Sequence, residues 1–223
     1  MKWRVLLALT AAAFPSSAAP EPAGPVLVEL YTSEGCSSCP PAEAVLGRLA
    51  ARTDVVVLAH HVDYWDGIGW PDPFSSAAAT ARQQAHGGNF TPEAVVDGGT
   101  SLIGSRETAL VEAIASAKQR PHVRLGLTAT RSGNAWDVAL QARGDVFLAV
   151  VQDRARVAVP RGENAGRTLD HVGIVRSVIK AGPTTRVTVP PAVSAPDGTT
   201  FSVVAFATGS DRRVLGTERV PLR

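Results

Sequence analysis

Lysine is scarce in this chain, cysteine is scarcer, and no long apolar run follows the amino terminus. Lysine stands only at Lys2, Lys118 and Lys180, so arginine carries most of the positive charge, and the formal net charge is +2. A balance this close to neutral, with no block of basic residues, gives no electrostatic footprint for nucleic acid or an acidic membrane. No segment past the leader approaches the ~20 apolar residues of a spanning helix. Cysteine occurs twice, as Cys36 and Cys39. No other cysteine is left to build a stapling framework, and a bridge within this pair closes too short a loop to restrain the unfolded chain much. A second Cys-x-x-Cys is also missing, which removes the usual four-ligand structural zinc site.

What is present is globular. Hydrophobic residues make up 45% of the 223 and charged residues 19%, enough chain for two modest domains. Residues 1–19 read as a signal peptide: a charged start through Arg4, an apolar run from Val5 to Phe14, then small residues to Ala19. No cysteine directly follows that run to accept a lipid. The expectation is an exported chain, periplasmic or secreted, without a transmembrane segment once the signal is removed.

After a Pro/Ala/Gly linker, Val26–Tyr31 reads as a strand, and a turn through Gly35 leads to the cysteines. Pro40 and Pro41 open a helix, since proline is tolerated where N–H groups lack partners anyway. Val45, Leu46 and Leu49 give that helix an apolar face. Val55–Ala59 is a continuous apolar run, as in a strand covered on both faces. The order is β-α-β, with the cysteine pair between strand and helix. Asp72-Pro73 is expected to cap a second helix running to Gly87-Gly88. Ala94–Val96 and Leu102-Ile103-Gly104 read as short strands, and Ser105 as the cap of a third helix that Pro121 ends. From His122 the texture changes to short β-prone segments between Gly, Pro, Asn and Asp, the pattern of an antiparallel sandwich. The expected division is an α/β domain over 25–120 and a β-rich, sandwich-like domain over 121–223.

Thiol–disulfide exchange needs one attacking thiolate and one resolving thiol. The positive end of a helix beside the pair favours the thiolate, whose pKa in such motifs falls to ~3.5–7 from ~8.5. Cys36 is therefore the expected nucleophile, reachable from solvent, and Cys39 the resolving thiol.

The run from Val28 to Glu43, together with His61 to Trp65, Gly69 to Phe74, Thr91-Pro92 and Arg161 to Leu169, resembles the secreted thioredoxin-like family catalogued as domain of unknown function 1223. The resemblance covers nearly all of the chain after the leader. It implies a thioredoxin-like fold followed by a β region, and it supplies no substrate. In that architecture Thr91-Pro92 is expected to be cis and to face the cysteines, with Pro92 holding a substrate backbone. Thr91, Ser37, Ser38 and Trp65 would then line the substrate groove. Glu29, within the first strand, either corresponds to the buried carboxylate that in such enzymes moves the proton of the resolving cysteine, although it stands one residue further from Cys36 than is usual, or is a strand-edge Glu facing water.

His60 and His61 end the second strand, near the pair, whereas His86, His122 and His171 have no supporting context. Tyr64, Trp65 and Trp70 cluster, as a groove or as a satellite core. The polar loop from Arg161 to Thr168, with Glu163 and Arg167 as a candidate ion pair, reads as a plain loop or as a contact onto the first half.

The expected function is a thiol–disulfide oxidoreductase acting on protein thiols or disulfides, needing no cofactor and turning over with an unidentified redox partner. The runner-up is a copper(I)-binding chaperone that holds the metal with Cys36 and Cys39 together with His60 or His61. A non-catalytic binding module with a residual disulfide is the third reading.

Overall fold

The computed structural model describes residues 24–142 and 144–223; the expected leader lies outside the described residues. The elements run β1 (Val26–Thr32), α1 (Pro40–Leu49), β2 (Val55–His61), α2 (Ala77–Ala85), β3 (Glu93–Val96), β4 (Thr100–Ile103) and α3 (Glu107–Ala117). They continue as β5 (Thr128–Ser132), β6 (Ala135–Ala139), β7 (Asp145–Ala158), β8 (Thr168–Lys180), β9 (Thr184–Val187), β10 (Phe201–Thr208) and β11 (Val214–Leu222). No helix among the described residues is long and apolar enough to cross a membrane.

Every residue of β1 and β2 is buried, as their apolar runs require. The two strands pair in parallel around α1, and β3 joins β1 antiparallel. Even-numbered residues of β1 and odd-numbered residues of β2 face α1 and α3, where Val28, Leu30, Val57 and Ala59 meet Val45, Leu46, Leu110 and Ile114. The opposite parity faces away from those helices. That alternation decides where each site residue can reach.

Eight strands form one sheet in the order β11-β10-β7-β8-β2-β1-β3-β4, and β5-β6-β9 form a smaller second sheet. The change of texture at Arg120 follows the end of α3, but it is not a break in the sheet. β8 continues the sheet beside β2, meeting it at Ala59 and Ile174. Leu27, Val56 and Leu58, on the face turned from α1, share a core with Ala149, Val151, Val204 and Phe206. The boundary drawn between 120 and 121 therefore runs through a shared core: β2 would otherwise present an open edge and a bare apolar face. The small sheet packs over the other side of β7 and β10 through Val138, Val187, Leu148 and Val203.

Two local expectations change. The helix expected to open at Asp72 begins at Ala77, capped by Ser76 Oγ, which accepts from Ala79 N at 3.2 Å. Asp72 is committed elsewhere, accepting from the backbone N–H groups of Glu34 and Phe74. α3 is preceded by Arg106 rather than capped by Ser105. β7 and β8 are long, 14 and 13 residues, and form a hairpin whose tip carries the polar loop from Arg161 to Arg167.

Candidate active site

Cys39 is the cap residue of α1, and Cys36 forms a disulfide with it, Cα to Cα 5.4 Å. Pro40 and Pro41 occupy the first two helical positions. Their fixed φ suits a helix start, but neither carries an N–H, so α1 offers the pair its dipole with two fewer donors. Ser33 O accepts from Cys36 N, and Cys36 O accepts from Cys39 N, closing the turn. Gly35 is required by close approach: a Cβ there would stand 3.1 Å from Trp65 Cβ.

Thr91–Pro92 is cis. Ser38 Oγ lies 3.3 Å from Cys36 Sγ and donates to Thr91 O at 3.5 Å, so the cis peptide stands beside the disulfide. Trp65 Nε1 donates to Thr91 Oγ1 at 2.8 Å. The structure thus brings Cys36, Cys39, Ser37, Ser38, Thr91, Pro92 and Trp65 to one place.

Access differs from expectation. Ser37 and Ser38 are exposed, but Cys36 is 0% and Cys39 1% exposed. The β7–β8 hairpin tip is bonded to this turn. Asn164 Nδ2 donates to both Glu34 O and Cys36 O at 2.9 Å, and Glu163 Oε2 accepts from Ser37 N at 3.0 Å. Glu163 is thus not paired with Arg167, whose guanidinium instead donates to Asn164 Oδ1 at 3.1 Å. The loop from Arg161 to Arg167 is bonded to the backbone of the turn that carries Cys36, and the nucleophile expected at the surface is buried.

Glu29 does not reach the pair. Its odd position on β1 points it away from α1, where it accepts from Arg82 Nε at 2.6 Å and lies 3.0 Å from His60 Nε2. Burial favours its neutral form, but the charge of Arg82 and the hydrogen bonds from His60 and Arg82 outweigh that. The carboxyl is held well below the usual range and is a poor proton carrier, which corrects its expected role.

His60 shares that face and stacks on Tyr31, ring centroids 5.1 Å apart. His61, one residue on, faces α1. Adjacent strand residues point to opposite faces, so His60 and His61 do not both turn toward the cysteines.

The α1 side carries a buried network that the sequence did not reveal. His61 Nδ1 lies 2.7 Å from Asp72 Oδ2, and His171 Nε2 lies 3.1 Å from Glu34 Oε1. Trp70 Nε1 donates to Glu34 Oε2 at 2.6 Å. Glu43, one helical turn beyond Cys39, stands 3.5 Å from His171 Nδ1. Burial pulls the His171 pKa down, but Glu43 and Glu34 on either side outweigh it and push it up to about 10. Burial likewise raises the Glu43 carboxyl, and His171 and His61 bring it below its ordinary value. His171 comes from β8 and Glu43 from α1, more than a hundred residues apart. Only the parity of β2, which turns His61 toward α1, was a usable signal.

No curated protein matches the chain. Two solved structures are similar. A protein from Agrobacterium tumefaciens is 24% identical, with a TM-score of 0.66, over 90% of this chain and 95% of that one. HBP35 of Porphyromonas gingivalis is 14% identical, with a TM-score of 0.59, over 90% of this chain and 76% of that one. At such identities the likeness concerns the fold alone. Residues 27–207 match the model of the family described as Protein of unknown function (DUF1223), and the chain belongs to that family.

Proposed function

We propose that the protein is an exported, thioredoxin-like thiol–disulfide oxidoreductase working through Cys36 and Cys39. The observation that carries this reading is the placement of the disulfide at the first turn of α1 with cis Thr91–Pro92 beside it. A cysteine pair so close in sequence adds little stability, and a helix start is a place where the dipole favours a thiolate. The leader-like start of the sequence and a formed disulfide both suit an oxidising compartment.

In the disulfide form, a substrate thiolate attacks Cys36 Sγ, forming a mixed disulfide and releasing Cys39 as its thiolate. A second substrate thiolate then attacks the substrate sulfur and releases Cys36. The substrate leaves as a disulfide and the protein keeps two electrons, which a redox partner removes; the same steps run backwards for reduction. Both sulfurs are buried and the turn is bonded to the loop from Arg161 to Arg167, so exchange on this reading proceeds from a state in which Asn164 and Glu163 have released the turn. Ser37, Ser38, Thr91 and Trp65 then line the entry.

Trapping tests this directly. Cys39→Ala leaves Cys36 without its resolving partner, so incubation with an oxidised dithiol peptide should accumulate a stable mixed disulfide at Cys36. Absence of that adduct, with the variant folded, counts against the proposal. Burial of both sulfurs favours one other reading, a binding module with an inert disulfide. That reading requires the native pair to resist dithiothreitol until the protein unfolds.

A further inference from the structure

The structure assigns a buried divalent-cation site to Glu43, His61 and His171, beneath the disulfide and independent of it. The three side chains come from α1, β2 and β8, and their ligand atoms all lie within 4.8 Å of one another. All three residues are buried, at 7%, 1% and 2% exposure. His61 Nε2, His171 Nδ1 and both Glu43 oxygens have no hydrogen-bond partner. Buried polar atoms are nearly always paired, and leaving one bare costs about 1–3 kcal/mol. Here each of the three side chains brings such an atom within 4.8 Å of the others.

The outer contacts explain why these particular atoms are bare. A metal-bound histidine commonly gives its remote N–H to a carboxylate, which fixes the tautomer and turns the other nitrogen toward the ion. Both imidazoles do this, His61 through Nδ1 to Asp72 and His171 through Nε2 to Glu34. Those carboxylates are held in turn, Asp72 by the N–H groups of Glu34 and Phe74, and Glu34 by Trp70.

Charge points the same way. Three buried carboxylates, Glu34, Glu43 and Asp72, surround two imidazoles, leaving negative charge in excess where it is costly. A divalent ion between the three inner groups offsets it. Two imidazoles and a carboxylate suit zinc or another first-row divalent ion, with a coordination position left open. Bonds of ~2.1 Å in a tetrahedron place ligand atoms about 3.4 Å apart. The 3.5 Å between His171 Nδ1 and Glu43 Oε2 already meets that spacing, and the His61 ligand atom lies within 4.8 Å of both residues' ligand atoms.

Zinc titration of the chelator-stripped full chain in its disulfide form is the test. One zinc per chain is expected, weakened at least tenfold by Glu43→Gln, His61→Gln or His171→Gln and unchanged by Cys36→Ser/Cys39→Ser. The double cysteine variant keeps this result separate from the fate of the redox proposal. No zinc uptake, uptake indifferent to the three ligand variants, or uptake lost with the cysteines overturns the assignment. Should the ligand variants fail to fold, cobalt(II) added to the native disulfide form decides. A spectrum of nitrogen and oxygen ligation supports the site; a thiolate-to-cobalt band or no spectrum overturns it.

Discussion

Asn164 donates from one amide nitrogen to the carbonyl oxygen of Cys36 at 2.9 Å, although the two residues stand 128 apart in the chain. The same nitrogen holds Glu34 O, so a single side chain from the β7–β8 hairpin fastens the turn that carries Cys36.

Asn164→Ala removes both bonds and leaves two carbonyl groups bare beneath the loop. Loss of about 1–3 kcal/mol is expected in urea unfolding. Reduction of the disulfide by dithiothreitol under native conditions should become faster, because the cap no longer holds. Glu163→Gln, which weakens only the exposed contact to Ser37 N, should give a smaller acceleration. Unchanged rates in both variants would show that the hairpin tip does not gate the pair.

Glu29 belongs to stability rather than to exchange. Its folded carboxyl lies below the ordinary value of 4.5 because Arg82 and His60 outweigh the effect of burial. A depressed acid contributes stability that is present above about 4.5 and drains away as pH falls toward the folded value. The native protein should therefore lose stability steeply on acidification below that point, and Glu29→Gln should flatten this part of the curve. Arg82→Ala, which strands the buried carboxylate, should cost about 3 kcal/mol or more. Neither change should alter the rate of thiol exchange; a slowed rate in folded Glu29→Gln would restore its proton-carrying role.

Gly173 holds β8 against β2. It adopts φ +65°, and a Cβ there would stand 2.8 Å from Val57 O. Gly173→Ala combines a left-handed backbone with a clash against main chain, so a loss of at least about 2 kcal/mol is expected by chemical unfolding. Since β8 also carries His171, zinc uptake should weaken in the same variant if it stays folded.

The parts legible in the sequence were those whose signals are local. The turn at Gly35, the cysteine spacing, the two prolines and the apolar face of Val45, Leu46 and Leu49 lie within one β-α-β stretch, and each follows from its neighbours. Asp72-Pro73 misled for a physical reason: a side chain that looks like a helix cap is spent on Glu34 N and His61 instead. Glu29 misled because its parity on β1 was not set against that of the cysteine turn. Asn164, Glu43 and His171 were unreadable as a group because only the long hairpin, folded back across β2, brings them together. β11 went unread, its exposed positions interrupting any apolar pattern.

The central claim is that Cys36 exchanges disulfides with other proteins, and insulin reduction tests it most directly. With excess dithiothreitol, the native protein should accelerate insulin precipitation well above the buffer rate, and Cys36→Ala should fall back to that rate. Equal precipitation by the folded Cys36→Ala variant and the native chain would contradict the account.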